Sequence, residues 1–166
     1  MGSYLLDNSI FSPLIRADDS AIRFARRNEL YIESTVLNEA GKTHSPSAIQ
    51  DTVLAFGITE VGGIVQDTDL ASIMTALRIV IVKPDVAILA AANKHGLGLI
   101  TGDNKLFRRA VRLKHRIVNS GLGAVKFRLF IPSLSVQERI LGYRRARRYI
   151  QLHFPHLNAH RFTGGR

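Results

Sequence analysis

Leu97-Gly98-Leu99-Ile100-Thr101-Gly102-Asp103-Asn104-Lys105-Leu106-Phe107 is the stretch on which the fold turns. Its apolar opening has the length and composition of a short buried strand. Thr101-Gly102-Asp103 closes that strand, and Asn104 to Leu113 has the apolar spacing of a helix. An acid is thereby delivered at the carboxyl end of a strand, just ahead of a helix. The same order occurs near the N-terminus, where Tyr4-Leu5-Leu6 is a short apolar run closed by Asp7-Asn8-Ser9. Strands separated by helical stretches point to an α/β domain with a central parallel sheet and helices on its faces. In such sheets, sites form at the carboxyl ends of strands. Asp7 and Asp103 are therefore expected to meet.

Ile10 to Asn28 reads as one or two helices, with Pro13 early, and Leu30-Tyr31-Ile32 reads as another strand. Ser34 or Thr35 is placed to cap a helix through Val36, Leu37 and Ala40, with Gly41 as its stop. Ser45-Pro46-Ser47 opens a helix from Ala48 to Phe56, and Gly57 to Gly63 carries loop signals. Asp69 to Val82 reads as a helix passing into an apolar run. Pro84 disfavours helix at Lys83, which places the next helix at Val86 to His95, with Asp85 at its start and Gly96 as its stop. Val125 to Ile131 alternates apolar and basic residues, the pattern of a half-buried strand. Ser135-Val136-Gln137-Glu138 fits a capping box ahead of a basic amphipathic helix to about Leu152. The chain divides into a domain over 1–134 and a basic helix and tail over 135–166, packed on that domain or extending it.

The chain has 166 residues, enough for one ordinary domain. Its 46% apolar and 22% charged content is that of a globular chain, which excludes a disordered or fibrous protein. It has no cysteine, so disulfides, thiolate metal sites and a cysteine nucleophile are excluded. No apolar run reaches the roughly 18 residues that span a bilayer. Asp7 interrupts the first apolar stretch and no basic leader precedes it, so a signal peptide is not expected and a cytoplasmic location is the default. Charge is divided unevenly. Residues 1–103 carry 8 Lys/Arg against 12 Asp/Glu, and residues 104–166 carry 15 Lys/Arg against Glu138 alone. An acidic part followed by a strongly basic part suggests a polyanionic partner.

Asp7, Glu39, Asp85 and Asp103 are each embedded in apolar sequence rather than in a charged run. Burying a lone carboxylate is costly, so such groups are normally paired or bound to a cation. Carboxylates drawn together repel one another, a conflict that a divalent cation removes. Hard oxygen donors suit Mg²⁺ or Mn²⁺. Singly, each acid also has an ordinary structural role. Asp85 suits a helix N-terminus, Asp103 an N-cap, Asp7 a turn and Glu39 a solvated helix face.

Order and spacing add a resemblance. Tyr4-Leu5-Leu6-Asp7-Asn8-Ser9 looks like the opening of PIN-domain nucleases. Ser34 to Glu39 is similar to their second acidic motif, a serine-started helix bearing a glutamate. Asp85-Val86-Ala87-Ile88-Leu89-Ala90-Ala91-Ala92 resembles the third motif, and Leu99 to Phe107 the fourth. The match covers residues 4 to about 131, and the VapC-like toxin ribonucleases are the branch most resembled. The resemblance implies a PIN-like three-layer α/β/α domain with a central parallel sheet. It implies a Mg²⁺- or Mn²⁺-dependent endoribonuclease that hydrolyses RNA phosphodiester bonds. Carried over motif by motif, Asp7, Glu39, Asp85 and Asp103 are the metal-binding, catalytic carboxylates, with Ser9 and Thr101 as their hydroxyl partners. Leu106 departs from the pattern, because many relatives carry a further acid there. RNA, an antitoxin protein and a second copy of the chain are the partners implied.

The basic residues then form an expected RNA track: Lys105, Arg108, Arg109 and Arg112 on one helix, and Arg144, Arg145, Arg147 and Arg148 on the C-terminal one. Tyr143, Tyr149, Phe127 and Phe154 offer stacking faces. His153, His156 and His160 have metal-like spacing, but they lie beside Pro155 in a stretch without period. Gly96-Leu97-Gly98 precedes its strand and so is no dinucleotide fingerprint. A non-catalytic or rRNA-processing RNA-binding PIN protein and a DNA nuclease are the alternative readings. The first is separated by EDTA-sensitive cleavage of a generic RNA, the second by comparing single-stranded RNA with DNA.

Overall fold

A computed structural model of the chain describes residues 2–62, 70, 72, 74–75, 78–81, 83–120 and 128–130. Among the described residues five strands form one sheet: β1 (Ser3–Leu6), β2 (Glu29–Glu33), β3 (Thr59–Val61), β4 (Gly98–Ile100) and β5 (Arg128–Phe130). Their order is β3-β2-β1-β4-β5 and every pairing is parallel. Leu5 stands opposite Tyr31 on one side and Leu99 on the other. The described helices are α1 (Asn8–Ile15), α2 (Asp19–Ala25), α3 (Ser34–Ala40), α4 (Pro46–Ala55), α5 (Lys83–His95) and α6 (Asn104–Ser120).

The chain steps from β1 outward through β2 to β3. It then returns to β4 on the other flank of β1 and continues to β5. Right-handed crossovers that step in opposite directions place their helices on opposite faces. This is the three-layer α/β/α arrangement expected from the sequence, and the reversal of direction falls between β1 and β4. None of the described helices is long and apolar enough to cross a membrane.

Parallel strands covered on both faces read as continuous apolar runs. Leu5, Leu6, Leu99 and Ile100 accordingly lose almost all solvent exposure. Helix α5 is buried along Ala87 to Asn93, and Ala90, Ala91 and Ala92 belong to the core. Helix α6 is two-faced. Leu106, Phe107, Ala110, Val111, Leu113 and Ile117 are buried, and Lys105, Arg108, Arg112 and Arg116 are exposed at helical spacing. Gly57 ends α4 at φ 59° and Gly96 ends α5 at φ 63°, conformations that cost other residues energy.

Several sequence expectations need correction. Gly57 to Gly63 is not all loop, because Thr59–Val61 pairs with Tyr31–Glu33 as edge strand β3. Three residues, two of them exposed, are too few to show an alternation, and the pairing is supplied by β2. Helix α3 is not capped by Ser34 or Thr35. Glu33 is the N-cap, and its Oε2 accepts the Thr35 backbone N–H at 2.7 Å. Helix α6 runs past Leu113 to Ser120, since Ile117 continues its apolar face beyond a basic stretch. Gly41 ends α3 without a left-handed turn, at φ −61°. The expected helix start at Val86 moves back to Lys83, where Pro84 occupies the first turn, which tolerates proline. The basic C-terminal helix, the boundary at residue 134, the aromatics Phe127, Tyr143, Tyr149 and Phe154, and the three tail histidines lie outside the described residues.

The centre of the sheet carries the fold. Leu99→Ala is expected to cost about 2–5 kcal/mol, the range for a buried leucine whose cavity only partly collapses. Urea unfolding followed by circular dichroism measures it, with a lowered midpoint and an unchanged slope expected.

Candidate functional site

Asp7 is the N-cap residue of α1 by backbone position, yet its side chain caps nothing. Its backbone carbonyl accepts from the N–H groups of Ile10 (2.9 Å) and Phe11 (3.0 Å), and its own N–H donates to the Ile100 carbonyl at 3.2 Å. That last bond extends the β1–β4 ladder by one residue and leaves the carboxylate at the point where the strand order reverses.

Two hydroxyls then fix the carboxylate. Ser9 Oγ and Thr101 Oγ1 each donate to Asp7 Oδ2 at 2.7 Å. Both hydroxyls are aimed from behind by backbone donors: Gly102 N–H to Ser9 Oγ at 2.8 Å, and Asp103 N–H to Thr101 Oγ1 at 2.9 Å. A hydroxyl has one proton to give, so these two are committed to Asp7. Among the described residues nothing donates to Oδ1, and no buried side-chain polar atom lacks a partner, so Oδ1 meets solvent. Asp7 as a whole is only 7% exposed. The carboxylate is thus held by one oxygen and presents the other.

Asp103 is exposed, and its Oδ1 accepts the Lys105 backbone N–H at 2.6 Å, so it also caps α6. Asp85 lies in the first turn of α5 and forms an ion pair with the Arg109 guanidinium through Oδ2. Glu39 is exposed near the end of α3, which packs against α1 and α5. All four acids line one open cleft of about 450 Å³ at the carboxyl edge of the sheet. Asn8, Ser9, Ser12 and Arg16 supply the rest of its polar lining, and Pro13, Pro84 and Ile88 supply apolar wall.

The cleft therefore gathers Asp7, Glu39, Asp85, Asp103 and Ser9, and Thr101 stands directly behind Asp7. Among the described residues, no three acid or imidazole side chains stand close enough to hold a metal ion as they are arranged. The donor type nonetheless suits a hard divalent cation: carboxylate oxygens, one of them aimed and unpartnered. The positive charge lining the cleft is the guanidinium of Arg16, and Arg109, outside the lining, pairs with Asp85. Leu106 is 1% exposed and packs in the core.

Arg109, expected on an RNA track, pairs with Asp85 and keeps 41% of its side chain exposed. Lys105, Arg108 and Arg112 are exposed on α6 as expected, and Arg144, Arg145, Arg147 and Arg148 lie outside the described residues. Asn8, Ser12 and Arg16 in the cleft lining and the buried Glu33 have no place in the sequence-based site. Arg16 reaches the cleft from the end of α1, a position signalled only by its eight-residue spacing from Asn8 along one helix face. Glu33 is 3% exposed and accepts from Ser34 Oγ at 2.9 Å and from Thr35 Oγ1. It sits one residue before the second motif, uses its charge to cap α3, and does not line the cleft.

No family model matches the chain, and no curated protein is similar to it. Solved structures do share similarity. One is VapBC2 from Rickettsia felis bound to a DNA fragment from their promoter, at 22% identity and a TM-score of 0.49, covering 64% of this chain and 92% of that one. Another is PAE2754 from Pyrobaculum aerophilum, at 16% identity and a TM-score of 0.46, covering 68% of this chain and 96% of that one.

Thr101→Val removes both the proton given to Asp7 and the acceptor of the Asp103 N–H. It is expected to destabilise the fold by about 1–3 kcal/mol, the cost of leaving buried polar groups unpaired. Thr101→Ser is expected to retain most of that stability, and thermal unfolding of the two variants compares them.

Proposed function

We propose that the chain is a metal-dependent endoribonuclease of PIN type, and a toxin of the VapC-like branch restrained by an antitoxin. The observation that carries this is the convergence of Asp7, Glu39, Asp85 and Asp103, from four separate elements, on one cleft at the sheet's switch point. An acidic cleft alone repels a phosphodiester. Mg²⁺ or Mn²⁺, when bound, would reverse that sign, lower the pKa of a bound water and neutralise charge growing on the phosphate. Asp7, Asp85 and Asp103 would hold the ion. Glu39 would join them or accept a hydrogen bond from the attacking water. Ser9 and Thr101 keep the Asp7 carboxylate aimed by spending their protons on its other oxygen. The exposed Lys105, Arg108 and Arg112 would carry flanking phosphates. The antitoxin and pairing of two copies of the chain are supported by the motif resemblance alone.

Cleavage of a generic single-stranded RNA in Mg²⁺ or Mn²⁺ is expected, with loss of activity in EDTA. Asp7→Asn and Asp103→Asn are expected to fall to background, and near-parental rates would remove both from the site. A DNA strand of the same sequence should be cut far more slowly.

The Arg109–Asp85 pair favours one second reading, an RNA-binding PIN protein without catalysis, in which the guanidinium permanently takes the place of a metal ion. RNA that is bound but left uncut in either metal would select it. Under the nuclease reading Arg109 competes with the ion for Asp85. Arg109→Ala is then expected to tighten Mn²⁺ binding several-fold in calorimetry, and unchanged affinity would take Asp85 out of the metal site.

A further inference from the structure

Helix α1 carries a second set of polar groups into the cleft that the acidic motifs do not use. Asn8, Ser12 and Arg16 are spaced four residues apart, which puts them on one face of the helix, and all three line the cleft. The row begins beside Asp7 and ends about 12 Å away along the helix axis.

The inner end of this row is oriented by hydrogen bonds. Ser12 Oγ donates its one proton to Asn8 Oδ1 at 2.9 Å. Its contact with His44 Nε2 at 3.2 Å must then run the other way, with the imidazole N–H donating to the serine oxygen. His44 is itself anchored, since its backbone N–H donates to the Ala40 carbonyl at the end of α3. The chain His44–Ser12–Asn8 ties the end of the helix bearing Glu39 to the residue after Asp7. It occupies the Asn8 carbonyl oxygen and turns the amide nitrogen outward. That nitrogen has no partner among the described residues and is not buried unsatisfied, so its two N–H donors reach solvent.

The outer end is a cation. Arg16 is exposed at the close of α1, and among the described residues no carboxylate pairs with it, although four share its cleft. A cleft lined by acids on one wall thus has an uncommitted guanidinium and two aimed amide protons on another. Those are donors for oxygens of a chain with negative charge along it.

We propose that the Asn8–Ser12–Arg16 face of α1 is the substrate track nearest the acids, on which Arg16 holds a phosphate of single-stranded RNA and the Asn8 amide donates to an oxygen of the same strand. This rests on the ribonuclease reading and adds a path to it: beside the acids the strand crosses α1. His44 is a positioning residue that acts through Ser12.

Fluorescence anisotropy of a short labelled single-stranded RNA, bound by the full chain in EDTA across a salt series, tests the track. Arg16→Ala is expected to weaken binding several-fold and to lower the log–log salt slope by about 0.7, the contribution of one phosphate contact on a single strand. Arg16→Lys should restore the slope. Asn8→Ala should weaken binding with the slope unchanged, because a neutral donor releases no counterion. His44→Ala should weaken binding in the same way, and the double variant should be no weaker than Asn8→Ala, as expected for two residues acting through one contact. A wild-type slope in Arg16→Ala, with RNA still bound, overturns the track and leaves the ribonuclease reading standing. Absence of RNA binding by the parent chain at every salt overturns both. Additive losses at Asn8 and His44 overturn the positioning role.

Discussion

The hydrogen bond from the Asp7 backbone N–H to the Ile100 carbonyl joins two strands whose residues are far apart in the chain. It lies where β1 ends beside β4, at the one place in the sheet where the connections depart in opposite directions. Everything in the cleft is referred to it. It brings Thr101 and Gly102 beside Asp7 and Ser9, so that two backbone N–H groups orient two hydroxyls and the hydroxyls orient one carboxylate. Low exposure makes those bonds strong and makes their loss costly. The carboxylate is held by a hydroxyl from the first turn of α1 and another from the residue that follows β4.

The sheet strands and the acids were legible because parallel strands announce themselves as unbroken apolar runs, and because Asp7 and Asp103 follow such runs directly. Edge strand β3 was not legible, since Thr59 and Glu60 face solvent and the strand exists only by pairing with β2. The capping role of Glu33 was hidden as well. Glutamate is a poor N-cap by statistics, and here it succeeds because burial against the following serine and threonine supplies three donors. The partners of each acid were the hardest to foresee. Arg109 follows Asp103 by six residues and reads as a surface cation of a basic helix. Its capture by Asp85 depends on how α5 and α6 approach each other, which no local pattern encodes.

The charge pattern takes on a spatial meaning. The acidic part of the chain supplies the floor of the cleft, and the first basic helix stands next to it, with one arginine turned inward and the others turned out. The ion pair between Asp85 and Arg109 marks the boundary between the two regions, and the 41% exposure of the arginine side chain against 16% for the aspartate shows that the acid is the more enclosed partner.

The alanines of α5 have a bearing on the cleft that reaches beyond packing. Ala87, Ala90, Ala91 and Ala92 are all but inaccessible, so methyl groups set how closely this helix approaches its neighbours in the core. Asp85 rides on the first turn of the same rigid rod. A branched side chain at any of these buried places would lift the rod and carry the acid outward with it, widening the cleft. Residues that never meet a ligand thereby act as the gauge of the opening, and a lineage could retune its aperture without touching a single polar group.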